Sequence, residues 1–159
     1  MMRKLAIYIF ILYSFLNCGN DSTKDTLVSN GNILNGNSRD CKNIIVNESL
    51  YSAALVDDFK INKALIEDDF LKLDVQYGGG CGTTNFELLT THLFLESDPV
   101  QLEVIVSFED NDSCEALIEE QVCFDLSALA KIYKDSYQTN SGTIILRFGS
   151  KNSNLRYDF

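Results

Sequence analysis

The chain has 159 residues, of which 45% are hydrophobic and 23% charged, and its formal net charge is −10. This acidic balance argues against binding to nucleic acid, which requires a basic face, and it favours solubility or cationic partners. The first 40 residues differ in composition from the rest. The remaining body of about 120 residues is long enough for one domain with one hydrophobic core.

The N-terminus has the layout of a targeting segment. Arg3 and Lys4 precede an apolar run over residues 5–16 that only Ser14 interrupts. A run of this length fits the core of a signal peptide and is too short to span a bilayer as a helix. Cys18 follows shortly after the run ends.

This arrangement resembles the leader of bacterial lipoproteins, in which a cysteine just after the apolar region is acylated and becomes the first residue of the mature chain. The resemblance implies a signal peptide over residues 1–17 and lipidation of Cys18. Leu16 and Asn17 depart from the small residues that the family prefers at these positions, and an ordinary secretory signal is the alternative. Gly19 stands where an aspartate would imply retention at the inner membrane, so the resemblance implies an outer-membrane location if the host has an outer membrane.

Residues 18–40 are predicted to be the acylated cysteine and a flexible tether. They are rich in Asn, Ser, Gly and Asp, so they cannot bury enough apolar surface to offset the entropy cost of ordering them. As a flexible coil they would span about 25 Å. We expect them to hold a folded domain over residues 41–159 just off a membrane. The sequence predicts no second membrane anchor, because no later stretch has 18 consecutive apolar residues.

From Cys41 onward, alternating apolar and polar residues predict a series of β-strands. The predicted strands cover residues 44–46, 71–77, 84–96, 100–108, 115–126, 143–148 and 155–159. Residues 49–65 predict a short helix or an irregular edge strand. Residues 127–133 predict one or two helical turns with Ser127 as the N-cap.

The fold class that this pattern predicts is all-β. About seven strands separated by turns favour an antiparallel β-sandwich with one short helix. A small closed β-barrel is the alternative. A parallel α/β sheet is disfavoured because helices do not alternate with the strands.

The cysteines of the predicted domain are expected to form disulfides, because an exported protein matures in an oxidising compartment. If the strands between residues 71 and 126 form an up-and-down meander, Cys81 and Cys114 lie in turns at the same end, and Cys123 lies at the other. We therefore predict the pairs Cys81–Cys114 and Cys41–Cys123, each worth about 2–4 kcal/mol. A structural zinc site is disfavoured because no pair has C-x-x-C spacing.

The glycine-rich stretch 78–82 surrounds Cys81 and invites two chemical interpretations. Phosphate-binding loops open a helix, but here a strand follows. A Cys–His nucleophile pair would use Cys81 and His92, the only histidine of the chain. The simpler interpretation is that the glycines relieve steric conflict at a sharp corner and that His92 packs on the strand face of Phe86 and Leu88.

The acidic turn over residues 109–113 could bind calcium through Asp110 and Asp112, because carboxylate oxygens are the ligands this cation takes. The turn lacks the spacing of an EF-hand, and clustered Asp and Asn are also typical of solvated turns. Nothing in the spacing of the other acidic residues selects a catalytic pair. No cofactor is predicted.

The body is similar to small uncharacterised domains of secreted bacterial lipoproteins. The shared features are Tyr-Gly-Gly-x-Cys-Gly at residues 77–82, Cys-Glu-Ala-Leu-Ile at 114–118 and Phe-Asp-Leu at 124–126. The resemblance implies a secreted β domain and brings no activity, substrate or catalytic residue.

We therefore predict a lipid-anchored lipoprotein of the cell envelope that acts as a non-catalytic binding or accessory module for a protein or carbohydrate ligand. The alternatives are an envelope hydrolase, with a site near Cys81 and His92 or at the acidic loops, and a calcium-binding surface module. A groove lined by Tyr51, Tyr133 or Tyr137 would favour ligand binding.

Overall fold

The computed structural model describes residues 41–149 and 154–159. The predicted signal peptide, the lipidation at Cys18 and the tether over 18–40 therefore lie outside the described residues. In chain order, the elements are β1 (Lys42–Asn43), β2 (Ile45–Val46), α1 (Glu48–Ser52), β3 (Phe59–Glu67), β4 (Phe70–Gly79), β5 (Thr83–Thr90), β6 (Val100–Asn111), β7 (Ala116–Asp125), α2 (Ser127–Tyr137), β8 (Thr143–Arg147) and β9 (Asn154–Asp158).

The strands form two sheets, which confirms the predicted mostly-β class. The four-stranded sheet has the order β1-β7-β4-β3, and the five-stranded sheet has the order β2-β5-β6-β8-β9. No closed barrel forms among the residues that the structure describes. Three pairings, β1 with β7, β2 with β5 and β6 with β8, are parallel, unlike the antiparallel pattern that the sequence predicts.

The predicted meander is wrong because consecutive strands change sheets. β4 pairs with β7 in the four-stranded sheet, whereas β5 pairs with β6 in the five-stranded sheet. The corners that follow β4 and β6 each carry the chain from one sheet to the other. Gly79 lies opposite Ala116, and Thr83 lies opposite Asn111, so both corners are at the same end, as predicted.

The core confirms the alternation of the two clearest strands, β4 and β6. Their predicted inward residues are all buried: Leu71, Leu73, Val75, Tyr77, Val100, Leu102, Val104, Val106 and Phe108. Between the sheets, the rings of Phe86 and Phe108 stack with centroids 4.3 Å apart. Phe59 packs edge-on against Phe86 at 5.5 Å. Each fully buried side chain of this size stabilises the fold by about 1.5–3 kcal/mol.

Two predicted segments differ from the elements that the structure shows. Residues 49–65 contain both predicted alternatives in succession, because α1 is followed by the edge strand β3. β5 ends at Thr90 rather than at residue 96. At this point the buried hydroxyl of Thr90 donates a hydrogen bond to the carbonyl of Glu103 at 2.6 Å, and residues 91–99 continue as a loop with a cis Asp98–Pro99 bond.

The N-cap of the second helix lies one residue before the predicted one. Its N-cap position is Leu126, and Ser127 is already helical. The carboxylate of Asp125 accepts a hydrogen bond from the Ser127 N–H at 2.8 Å. The Asp125 carboxylate therefore accepts a hydrogen bond from a free N–H of the first helical turn. The sequence predicted this capping role for the Ser127 hydroxyl.

Candidate functional site

Both predicted disulfide pairs are bonded in the structure. Cys81 joins Cys114 with their Cα atoms 5.9 Å apart, and Cys41 joins Cys123 at 4.6 Å. The first bond links the two sheet-crossing corners, and the second fixes the start of the described chain to β7. The sulfur atoms are therefore not available as the thiolate ligands that the zinc alternative needs.

Asp112 organises the glycine corner around Cys81. One of its carboxylate oxygens accepts hydrogen bonds from the backbone N–H groups of Gly80, Cys81 and Gly82 at 2.6–2.8 Å. The other accepts from the N–H of Cys114 at 2.8 Å. These bonds, of which those from Cys114 and Gly82 count most, hold the pKa of Asp112 at about 2.

The glycines make this arrangement possible. Gly80 has a φ of +118°, a backbone conformation that residues with a side chain rarely adopt. A Cβ on Gly82 would lie 2.5 Å from the carbonyl oxygen of Asn111. The backbone amides thus form the kind of concave cradle that binds anions. The occupant of the cradle is the chain's own carboxylate, so the corner is a structural junction rather than the phosphate site considered from sequence.

The acidic turn uses its carboxylates in the same way. Asp57 accepts a hydrogen bond from the Asp110 N–H at 2.8 Å, and Asp110 accepts one from the Asp112 N–H at 2.9 Å. Both oxygens of Asp112 are occupied by amides. The sulfurs of Cys81 and Cys114 lie close to Asp112, but both belong to a disulfide. Calcium binding by Asp110 and Asp112 stays a prediction.

The thiol-enzyme hypothesis is wrong for the folded protein, because the sulfur of Cys81 is bonded to Cys114 and carries no thiolate. His92 does not lie on the face of Phe86 and Leu88, as its alternation predicted. It is exposed in the loop that follows β5, because that strand ends at Thr90.

An aromatic patch forms where α2, the loop 91–99 and the C-terminus meet. It consists of Phe94, Tyr133, Tyr137 and Phe159. The ring of Tyr133 lies 4.6 Å from Tyr137, 5.3 Å from Phe159 and 5.9 Å from Phe94 between centroids. Tyr137 is 37% exposed. The patch therefore combines rings that pack against one another with one residue, Tyr137, that is exposed to solvent.

Polar and apolar neighbours extend the aromatic patch. The Tyr137 hydroxyl donates a hydrogen bond to Glu96 at 3.1 Å, and partial burial, followed by this bond, raises the pKa of Tyr137. Leu93 and Leu95, on either side of Phe94, are 60% and 42% exposed. Tyr51, the third tyrosine considered from sequence, takes no part in these ring contacts and donates to Glu103 at 3.4 Å.

Gly142 positions the central ring of the patch. A Cβ at this residue would clash with ring atoms of Tyr133. The backbone N–H of Gly142 also donates to the carbonyl of Phe159, and the reverse bond is made at 3.2 Å. The glycine therefore allows Tyr133 to pack closely against the chain before β8.

The outer face of the four-stranded sheet carries a shallow depression of about 150 Å³, lined by Lys63, Leu65, Glu67, Lys72, Asp74 and Gln121. Its polar groups largely bind one another. Lys72 pairs with Glu67 at 2.6 Å, and the amide of Gln121 donates to Asp74 at 2.8 Å. A ligand would have to compete with these bonds, so the aromatic patch is the stronger candidate surface.

Fold and site together define a mostly β domain with two disulfides and an exposed aromatic patch. No family model and no curated protein matches the chain. In the described residues, no helix is long and apolar enough to cross a membrane.

Several solved structures are similar to this chain. A protein of unknown function from Bacteroides vulgatus is 13% identical with a TM-score of 0.46, over 75% of this chain and 55% of its own. A candidate lipoprotein from Bacteroides fragilis is 11% identical with a TM-score of 0.46, over 75% and 67%. A NigD-like immunity protein from Bacteroides caccae is 9% identical with a TM-score of 0.48, over 73% and 57%. Similarity at this level does not establish a shared family or function.

Sequence reasoning named Tyr133 and Tyr137 as candidate ligand-binding residues but missed Phe94 and Phe159, and it considered Asp112 for calcium binding rather than for the glycine corner. Tyr133 and Tyr137 are four residues apart, a spacing that places both on one side of a helix, and this was the available signal. Phe94 and Phe159 reach the patch only through the ending of β5 and the pairing of β9, which no local pattern indicates.

Proposed function

We propose that the protein is a lipid-anchored lipoprotein of the cell envelope whose folded domain is a non-catalytic binding module. The observation that carries the proposal is the pair of disulfides, because such bonds are typical of proteins that mature outside the cytoplasm. The lipoprotein-like leader ending at Cys18 supports the same location. An outer-membrane position follows from Gly19 if the host has two membranes.

The ligand surface that we propose is the aromatic patch, and the ligand class is carbohydrate. Tyr137 offers a partly exposed ring on which the C–H face of a sugar can pack. Glu96, bonded to the Tyr137 hydroxyl, adds carboxylate oxygens that accept bonds from sugar hydroxyls. Leu93 and Leu95 add apolar area beside these groups, as is usual for binding surfaces.

The hydrolase alternative has lost its thiol nucleophile to the disulfide at Cys81. A hydrolase could instead use a pair of carboxylates. The nearby acids Asp57, Asp110 and Asp112, however, already accept hydrogen bonds from backbone N–H groups. These contacts favour a structural role for the acidic loops and leave the binding module as the better supported function.

Anchoring is tested by expressing the complete chain in a bacterium that acylates lipoproteins and separating membrane from soluble fractions. We expect the protein in the membrane fraction and its Cys18→Ser variant in the soluble fraction. Recovery of both forms in the same fraction would contradict the anchor, whatever the domain binds.

Ligand binding is tested with the mature Cys18→Ser chain on an array of bacterial and host glycans. We expect a signal that Tyr137→Ala reduces about tenfold, since a ring that packs on a ligand is worth about 1–2 kcal/mol. Tyr51→Ala is the matched control, because Tyr51 also bonds a glutamate but lies outside the patch. A blank array, or equal losses for both variants, would contradict the carbohydrate proposal.

A further inference from the structure

Strand β7 has a long edge without a partner strand. β1 pairs only with Phe124 and Asp125, so within the described part of the chain the preceding residues, Ala116–Cys123, face no strand on that side. The Asp125 carbonyl accepts the N–H of Ile44 at 3.1 Å and therefore points to the free side. Because backbone groups alternate along a strand, those of Leu117, Glu119, Gln121 and Cys123 point the same way.

The other described edges are protected by features that β7 lacks. β3 is interrupted by a bulge between Ile61 and Lys63, which discourages strand pairing. On β5, the ammonium of Lys42 donates to the carbonyl of Phe86 at 2.8 Å and withdraws it from pairing. β9 has five residues. β7 keeps a regular register along its full length.

The side chains of the free edge define the chemistry of a matching strand. Leu117, 70% exposed, is the most exposed large hydrophobic residue among those that the structure describes. Ile118 and Val122 point to the interior and are only half-buried, because the sandwich is open beside them. The exposed carboxylates of Glu119 and Glu120 lie on opposite faces of the strand. An added strand would therefore meet both apolar side chains and a carboxylate on each face of the sheet.

A second copy of the chain fits this edge poorly. Pairing β7 with β7 of another copy would bring Glu119 and Glu120 close to their own duplicates, and like charges facing across strands are destabilising. Cations suit the edge better, and β1 already shows the pattern. Its Lys42 lies opposite Phe124 and reaches across the open side to bond Asn85 and Phe86 of the other sheet.

We propose that the free edge of β7 binds an extended, basic segment of a partner protein, which adds to the four-stranded sheet as a further strand. Backbone bonds at Leu117, Glu119 and Gln121 hold the segment. Its apolar side chains cover Ile118 and Val122 on the inner face, and its lysines or arginines pair with Glu119 on the outer face. This site is separate from the aromatic patch and does not depend on it.

The test uses the mature Cys18→Ser chain and a synthetic peptide of alternating Val and Lys. We expect saturable binding and slowed hydrogen exchange at the amides of Leu117 and Gln121. The same peptide with methyl groups on alternate backbone nitrogens, and a Val–Glu peptide, should bind about tenfold more weakly or less. Equal binding of the methylated peptide would show non-specific charge attraction and overturn the proposal.

Two variants separate backbone pairing from charge. Glu119→Pro removes an N–H that points away from β4, so no bond within the sheet is lost, and it should abolish the exchange protection. Glu119→Gln keeps the N–H and should retain pairing with a loss of a few-fold in affinity. Amides of Leu117 and Gln121 that are protected without peptide, by residues 33–40 or by a second copy detected in sedimentation, would contradict the proposal.

Discussion

At the scale of single residues, Asp112 shows how a charge can shape a corner. Its carboxylate accepts hydrogen bonds from four backbone N–H groups, of which three lie in the glycine-rich corner and the fourth is that of Cys114. The glycines leave that corner conformationally free without such bonds. Bonds from amides to a charged oxygen are stronger than those to a neutral one. The negative charge of Asp112 therefore stabilises the folded state.

The depressed pKa of Asp112 predicts a pH dependence of unfolding. A carboxylate whose pKa is about 2 in the folded state and near 4 when unfolded contributes stability above about pH 4, and this is lost as the pH falls towards 2. We expect the urea midpoint of the wild type to fall across that window. Asp112→Asn should begin lower and lack this component, whereas Asp58→Asn, at an exposed residue, should behave like the wild type. Parallel pH curves for Asp112→Asn and wild type would contradict this role.

Gly142→Ala tests the packing of the aromatic patch. The added methyl group must displace the ring of Tyr133, and forcing such a shift costs about 1–3 kcal/mol. We expect a lower free energy of unfolding and a weaker near-ultraviolet circular dichroism signal from tyrosine. Ser141→Ala, at the exposed neighbouring residue, is the control. An unchanged tyrosine spectrum in Gly142→Ala would show that Tyr133 does not lie where the structure has it.

At the scale of elements, one buried hydroxyl joins the last strand to the first hairpin. Tyr157 of β9 is fully buried, and its hydroxyl donates to Asp69 between β3 and β4 at 2.5 Å. Burial, followed by this bond, raises the pKa of Tyr157. The bond connects an edge of the five-stranded sheet to the turn of the four-stranded sheet, and so links the two layers opposite the open side.

Replacing this tyrosine by phenylalanine isolates the hydroxyl. Tyr157→Phe leaves Asp69 without its buried donor and should lower the free energy of unfolding by about 1–2 kcal/mol in urea titrations. Tyr51→Phe removes a longer, exposed bond to Glu103 and should change it by less than about 0.5 kcal/mol. Equal effects of the two changes would exclude a special contribution of the β9 connection.

Some features of the strands were predictable from the sequence and others were not. The burial of Leu71, Leu73, Val75 and Tyr77 was predictable because alternation is a local property. The ending of β5 was not, since it coincides with a bond between Thr90 and a carbonyl on another strand. The positions of Asp112 and His92 likewise depend on contacts between residues distant in sequence. The predicted meander was wrong because local patterns do not determine which strands pair.

At the scale of the whole molecule, two disulfides cross-link a β-sandwich whose four-stranded sheet has a free edge at β7. They close segments of 33 and 82 residues in sequence separation. Removing either should cost about 2–5 kcal/mol, with the larger loss for the longer segment. Against a total stability of about 5–15 kcal/mol, either loss is severe.

Paired substitutions test this ranking. We expect Cys41→Ser with Cys123→Ser to lower the free energy of unfolding more than Cys81→Ser with Cys114→Ser, when both are measured in urea under oxidising conditions. The wild type in the presence of reductant provides the reference for losing both bonds. A smaller loss for the Cys41 and Cys123 pair would contradict the ranking by segment length.

The most direct test of the account is non-reducing mass spectrometry of the protein matured in a bacterial envelope. A lipid-anchored, disulfide-linked module predicts an acylated Cys18 at the mature N-terminus. It also predicts two linked peptide pairs, Cys81 with Cys114 and Cys41 with Cys123. An unmodified Cys18 would contradict the lipoprotein assignment, and free thiols at Cys81 and Cys114 would contradict the structural junction on which the binding-module interpretation depends.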